Sequence, residues 1–114
     1  MGLKTIFHID ESAKWSLLLK NAANLVQMAD METASIEVLA NAEAVREYAA
    51  GEDTAHIAQM RRLADQGVLF TACSNALKAY RIEPERLIPF VTIVPAGVLE
   101  LTQRQMQGYA YIKP

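Results

Sequence analysis

Five short runs of apolar and β-branched residues, separated by segments with helical spacing, constrain the fold more than any other feature of this sequence. The runs cover residues 3–9, 34–40, 68–72, 91–94 and 109–112. Strand–helix alternation with connections of this length favours parallel pairing, because parallel strands need a long crossover between them. The sequence therefore predicts an α/β fold, with three α/β/α layers and a mainly parallel five-stranded sheet.

The predicted helices lie between these strands. Apolar residues recur at helical spacing from Ala13 to about Ala29, after Asp10, Glu11 and Ser12, which offer N-caps. A short helix capped by Asn41 and a longer one opened by Asp53 or Thr54 are expected next. Further helices are predicted over about 74–80 and 98–107, with one helical turn within 83–89. Gly67 and Gly108 are expected to end helices, because glycine adopts positive φ readily.

The chain length fits one domain over residues 1–114. Its 114 residues are 52% apolar and 21% charged, which is enough to bury a core without disulfides or a metal. This composition excludes intrinsic disorder and a disulfide-stapled mini-protein. The net charge of -2 offers no general attraction for a polyanion, so nucleic acid is not an expected partner.

The termini and the cysteine usage favour a cytoplasmic protein. Residues 1–6 run straight into the first strand without a signal-peptide pattern. The longest apolar stretch, residues 87–101, contains Pro89, Pro95 and Gly97, so no membrane-spanning helix is predicted. Cys73 is the only cysteine, which fits a reducing compartment and forbids an intramolecular disulfide.

Polar groups follow the carboxyl ends of the predicted strands. Ligands of open α/β sheets bind beyond these ends, where the following helices begin. The candidate site predicted on this basis consists of Cys73 as the reactive residue and of the binding residues His8, Asn41, Ser74, Asn75 and Gly97.

Cys73 is the member of this set with the clearest chemistry. It lies at a strand-to-helix junction, where the positive end of the helix dipole favours thiolate over thiol and lowers the thiol pKa. Its small neighbours Ala72 and Ser74 are expected to leave the sulfur accessible. The alternative is a buried core cysteine, a common environment for this residue type. The residues alone leave both interpretations open.

The remaining candidates also have two interpretations each. His8 is either a base or hydrogen-bond donor to a sulfur anion, or a core histidine with satisfied ring nitrogens. Asn41 and Asn75 are either helix caps or ligand contacts, and His56 is expected at the surface. No metal is predicted, because two histidines and one cysteine lack ligand spacing. No cofactor is predicted either, because the segment after the first strand has no glycine-rich phosphate loop.

Three segments resemble the DsrE/DsrF-like family. They are residues 5–11 followed by Lys14 and Trp15, residues 67–77, and residues 94–101 together with 108–112. The resemblance implies a compact α/β/α fold and a homo-oligomer, often a trimer or hexamer. In the sulfur-relay members, one cysteine at the start of a helix carries a persulfide between donor and acceptor proteins. Cys73 matches that position.

The first functional hypothesis is therefore a small cytoplasmic sulfur carrier or sulfurtransferase-like protein that holds a persulfide on Cys73. The alternative is a non-catalytic oligomeric or small-ligand-binding domain in which Cys73 is structural. A weaker hypothesis is a redox-sensing thiol that forms disulfides between subunits. An exposed thiol of lowered pKa favours the carrier, and a buried thiol of raised pKa favours the structural role.

Overall fold

All five strands of the sheet run parallel, in the order β4-β3-β2-β1-β5. The structure, a computed structural model, describes residues 2–51 and 54–114. The strands are β1 Lys4–Ile9, β2 Ser35–Ala40, β3 Leu69–Cys73, β4 Val91–Val94 and β5 Ala110–Ile112. The predicted α/β class and the five-stranded parallel sheet are thereby confirmed.

Within the described residues, four α-helices connect or flank these strands: α1 Trp15–Met28, α2 Ala55–Asp65, α3 Ser74–Ala79 and α4 Gly97–Met106. Three further segments are 3₁₀ helices, at Ser12–Lys14, Ala42–Ala49 and Pro84–Arg86. The short helix expected after Asn41 is thus of the tighter 3₁₀ type. Gly67 and Gly108 follow helix ends with φ of 107° and 92°, as predicted for residues that end a helix.

The two faces of the sheet are covered unequally. The larger core lies on the face that packs against α1, α2 and α3, and its centre includes Phe7, Val38, Phe70 and Trp15. The opposite face is covered by α4 over a smaller cluster made of Ile6, Leu39, Val94 and Leu101. Because side chains alternate along a strand, consecutive residues point to opposite faces of the sheet. Phe7 therefore packs in the larger core and Ile6 in the smaller cluster.

A buried polar cluster holds α4 against the sheet. Glu37, on the central strand β2, is 2% exposed and accepts hydrogen bonds from Arg104 Nε at 2.8 Å and from Thr71 Oγ1 at 2.9 Å. Arg104 Nε also lies 3.0 Å from Glu100 Oε2. Burial, and next the neighbouring Glu100, raise the pKa of Glu37 to about 7 against the opposing effects of Thr71 and Arg104.

Helix starts differ from the prediction at one position and agree at another. The Thr54 hydroxyl accepts a hydrogen bond from the Ile57 N–H at 3.2 Å and caps α2, whereas Asp53, the other candidate, lies outside the described residues. Of the expected caps Asp10, Glu11 and Ser12, Glu11 occupies the N-cap position of the 3₁₀ helix that leads into α1, but its side chain makes no capping hydrogen bond. The N-cap position of α1 itself is Lys14. Ser12 instead donates hydrogen bonds across to Glu43, from its N–H at 3.1 Å and its hydroxyl at 3.2 Å.

Within the described part of the chain, we find no helix with the length and apolar character needed to cross a membrane.

Candidate functional site

The connections after β3 and β4 leave the sheet toward opposite faces. β3 leads into α3 on the side of the larger core, and β4 leads into α4 on the other side. Since β3 and β4 are neighbours, the two departing chains diverge at a topological switch point at the carboxyl ends of these strands. Such a switch point is where open α/β sheets bind their ligands.

Cys73 lies at this switch point. It is the last residue of β3, stands in register with Val94 of β4, and occupies the N-cap position of α3. Its side chain makes no capping hydrogen bond, and only 7% of its surface is exposed. It packs into the larger core. The thiol is therefore less accessible than its small neighbours suggest.

Gly97 and Asn41 form the wall beside Cys73. A Cβ built on Gly97 would lie 3.5 Å from the Cβ of Cys73 and 3.2 Å from Asn41 Nδ2. Gly97 is the first residue of α4 and is buried, so the absence of a side chain lets this helix begin directly against both residues. The structure thus brings Cys73, Asn41 and Gly97 together, although the sequence places them on three separate connections.

His8 joins the group through Asn41. Its Nε2 lies 3.0 Å from Asn41 Oδ1, and its Nδ1 lies 2.7 Å from the hydroxyl oxygen of Tyr111. Because an amide oxygen only accepts, the hydrogen-bond network assigns the proton to Nε2, and in the neutral ring Nδ1 then accepts from Tyr111. Both ring nitrogens are satisfied, as expected of a structural histidine, yet the ring is partly exposed at the edge of the sheet.

Asn41 occupies the N-cap position of the 3₁₀ helix, but its side chain makes no capping hydrogen bond. The amide oxygen contacts His8 instead. Asn41 is therefore the N-cap residue by its backbone position, but its side chain does not cap the helix. The next residue, Ala42, has a φ of 50°, in the left-handed region that few non-glycine residues adopt. This backbone turn directs the chain away from the sheet immediately after Asn41.

Ser74 and Asn75 lie on the other side of Cys73. Ser74 lines a groove of about 470 Å³ beside α3, together with Leu77, Lys78 and Ile93. Asn75 is exposed, and among the described residues no hydrogen bond connects its side chain to the other site candidates. Ser74 therefore lies beside the site, because it follows Cys73 in the chain and lines the neighbouring groove. Asn75 faces solvent.

Tyr111 is a site residue that the sequence did not indicate. Its pairing with β1 places it opposite Ile6, two residues before His8. Lys113 Nζ, just beyond β5, lies 3.2 Å from Asp10 Oδ1 at the same edge. Local spacing along the sequence could not predict that the last strand, β5, pairs in parallel with β1.

Among the described residues, no three His, Cys, Asp or Glu side chains are grouped closely enough to hold a metal ion. Residues 4–114 match the sequence profile of the DsrE/DsrF-like family. The chain belongs to this family. The profile therefore spans all five strands of this DsrE/DsrF-like protein and every candidate site residue.

Solved structures of similar proteins agree with this assignment. MTH1491 from Methanobacterium thermoautotrophicum, described as a protein of unknown function, is 34% identical over 98% of this chain and 99% of its own, with a TM-score of 0.87. The ychN protein from E. coli is 19% identical over 100% of both chains, with a TM-score of 0.76. BT1422 from Bacteroides thetaiotaomicron is 15% identical over 97% of this chain and 94% of its own, also at 0.76. The last two share the fold of the DsrE/DsrF-like chain. No curated protein matches it.

Proposed function

We propose that this DsrE/DsrF-like protein is a sulfur carrier that holds sulfane sulfur as a persulfide on Cys73. The observation that carries the proposal is the place of Cys73 at the switch point between β3 and β4, where it contacts the start of α4. Family membership supports the same residue, because Cys73 is the cysteine that resembles the persulfide position of sulfur-relay members.

The proposed step is a transfer of one sulfur atom without net oxidation. The Cys73 thiolate attacks the outer sulfur of a donor persulfide, a new S–S bond forms, and the donor's own S–S bond breaks with its electron pair on the donor thiolate. An acceptor thiolate then removes the outer sulfur from Cys73 by the same reaction in reverse. One cysteine is sufficient, since the second thiol belongs to the donor or the acceptor.

The surroundings of Cys73 suit an anion of this kind. As the N-cap residue of α3, it lies beside backbone N–H groups that have no partner within the helix. On the other side, Asn41 Nδ2 points toward Gly97, next to the Cys73 Cβ, and is the side-chain donor of this wall. These groups are hydrogen-bond donors, from which a persulfide held on Cys73 can accept.

A second candidate function follows from the burial of the thiol. With 7% of its surface exposed and apolar neighbours around it, Cys73 also fits a structural residue. The protein would then be an oligomeric or small-ligand-binding domain that shares the fold of its relatives without sulfur transfer. The groove beside Ser74 is the ligand site that this alternative would use.

The proposed assembly is a homo-oligomer, a trimer or hexamer, that meets separate sulfur donor and acceptor proteins in the cytoplasm. Support comes from the exposed apolar side chains on α4, of which Val98 is 71% exposed and Leu99 and Met106 are also exposed. Light scattering at micromolar concentration tests the assembly. A monomer at that concentration would contradict it without bearing on the chemistry of Cys73.

Intact-protein mass spectrometry after incubation with inorganic polysulfide tests the carrier function, with Cys73→Ser as the matched control. The carrier predicts a mass gain of whole sulfur atoms on the wild-type chain alone, removed by reductant and transferred to an added acceptor thiol. A folded wild-type protein that gains no sulfur, and whose thiol reacts with iodoacetamide only after unfolding, establishes Cys73 as a core residue.

A further inference from the structure

A second cluster of reactive groups lies between α1, α2 and the 3₁₀ helix Ala42–Ala49. The hydroxyl oxygen of Ser16 lies 3.0 Å from His56 Nε2, and His56 Nδ1 lies 2.7 Å from Glu47 Oε1. His56, expected at the surface, is partly buried by this contact, with 30% of its side chain exposed. Three residues from three elements thus form one continuous hydrogen-bond chain.

The chemistry of the three groups fixes the direction of each hydrogen bond. An ionised Glu47 carboxylate only accepts, so His56 Nδ1 carries the proton that it donates. In the neutral ring Nε2 is then an acceptor, and Ser16 donates its hydroxyl proton to it. Hydroxyl, base and orienting carboxylate therefore stand in the order and within the distances that activate a serine nucleophile.

We propose that Ser16, His56 and Glu47 form an acyl-accepting site, separate from Cys73, in which Ser16 is the nucleophile, His56 the general base and Glu47 the positioning residue. Ser16 is exposed on the second position of α1, so an electrophile reaches its oxygen from solvent. Thr54 caps α2 two residues before His56 and fixes the start of the helix that carries the base. This proposal does not depend on the sulfur-carrier function.

The proposed step is balanced by the substrate alone. Ser16 Oγ forms a bond to the acyl carbon, and the bond from that carbon to the leaving group breaks with its electron pair on the leaving group. The Ser16 proton passes to His56 Nε2 and from there to the leaving group.

The surroundings indicate which acyl donors the site accepts. Lys20 is exposed and lies four residues after Ser16, on the same face of α1. Its ammonium group makes this face favourable for an acyl donor whose leaving group or carbonyl oxygen develops negative charge. The proposed substrates are therefore activated acyl compounds, such as esters with acidic leaving groups.

p-Nitrophenyl acetate is the probe, and the readout is acetylation of Ser16 on the full-length folded chain. Trypsin releases residues 15–20 as one peptide in which Ser16 is the only hydroxyl-bearing side chain. Hydroxylamine removes an acetyl group from a serine oxygen and leaves one on a lysine nitrogen, so the two products are distinguished. Ser12, in the preceding tryptic peptide and bonded to Glu43 without a histidine, is an internal control.

The proposal predicts hydroxylamine-labile acetyl on the Ser16 peptide at a rate above that of Ser12, and none in Ser16→Ala. Since a general base contributes about a hundredfold or more, His56→Gln should lower the rate at Ser16 at least about tenfold. Glu47→Gln should lower it less, and should leave the rate at Ser12 unchanged. Acetylation of Ser16 no faster than that of Ser12, or unchanged in a folded His56→Gln variant, would overturn the proposal.

Discussion

Gly97 packs so closely against Cys73 that a Cβ at position 97 would stand 3.5 Å from the Cβ of the cysteine. The two residues belong to connections that leave the sheet toward opposite faces, one into α3 and the other into α4. Any side chain at position 97 therefore enters the wall of the candidate site directly.

We predict that Gly97→Ala changes the site more than it changes the fold. The added methyl group meets Asn41 Nδ2 at 3.2 Å, so the amide that contacts His8 must shift by a few tenths of an ångström, and the methyl group lies in contact with the Cβ of Cys73. Overpacking costs about 1–3 kcal/mol, and alanine offsets roughly 1 kcal/mol of that in a helix. Urea unfolding should therefore register a loss of about 2 kcal/mol or less, whereas iodoacetamide should alkylate Cys73 several-fold more slowly.

The matched control for this prediction is Gln103→Ala, on an exposed polar position of α4. It should leave the alkylation rate unchanged. An alkylation rate in Gly97→Ala equal to that of Gln103→Ala would mean that the opening to the thiol lies elsewhere.

We also predict a pH-dependent contribution of Glu37 to stability. Burial raises the pKa of this carboxyl from 4.5 to about 7, so between these values the folded state binds more protons than the unfolded state. The contribution is therefore fully present below pH 4.5 and is lost as the pH rises to about 7, by roughly 3 kcal/mol. The free energy of unfolding of the wild type minus that of Glu37→Gln should fall over this range.

Glu85→Gln, at an exposed site, is the control for the general effect of removing one carboxylate. The free energy of unfolding of the wild type minus that of Glu85→Gln should change little over the same pH range. A difference between wild type and Glu37→Gln that rises with pH would show that the charge of Arg104 outweighs the burial of Glu37.

The outline of this fold could be predicted because the signals for it are local. Alternating apolar runs and helical spacing identify each strand and helix, and parallel pairing follows from the length of the connections. The position of Cys73 at a strand end follows from the same pattern. Glycine after a helix, at Gly67 and Gly108, is likewise a local signal with a local cause.

The contacts of the site could not be predicted, because they depend on strand order. Tyr111 reaches His8 only because β5 returns to lie beside β1, and this return involves α4 crossing the opposite face of the sheet. Glu37 lies in an apolar run, and its partner Arg104 is 67 residues away. Spacing along the chain carries no information about such pairs.

We predict that the backbone at Ala42, next to Asn41, is strained. Its φ of 50° disfavours a side chain by about 1 kcal/mol or more, whereas glycine adopts it freely at an entropic cost of roughly 0.5–1 kcal/mol. Ala42→Gly should therefore be neutral or stabilising by up to about 1 kcal/mol in urea unfolding. The same change at Ala58, exposed within α2, should destabilise by about 1 kcal/mol. Equal losses of unfolding free energy in Ala42→Gly and Ala58→Gly would show that the backbone at Ala42 is not strained.

The two histidines should hold opposite neutral tautomers. His8 donates from Nε2 to the Asn41 amide oxygen, whereas His56 donates from Nδ1 to the Glu47 carboxylate. Nitrogen-15 chemical shifts of the two imidazole rings above pH 8 measure this directly, and each ring is a reference for the other. A proton on Nδ1 of His8 in the wild type would contradict the hydrogen-bond network of the site.

Tyr111→Phe removes the hydroxyl that donates to His8 Nδ1 at 2.7 Å and keeps the ring in place. Because the bond is exposed, its loss should change stability by about 1 kcal/mol or less. The nitrogen-15 shifts of His8 should nevertheless move toward a mixture of tautomers, since Nδ1 no longer has a fixed donor, while those of His56 stay unchanged. Tyr80→Phe, on an exposed tyrosine away from β1, should leave both rings unaffected. If Tyr111→Phe leaves His8 unaltered as well, the Asn41 contact alone fixes the ring, and Tyr111 has no part in the site.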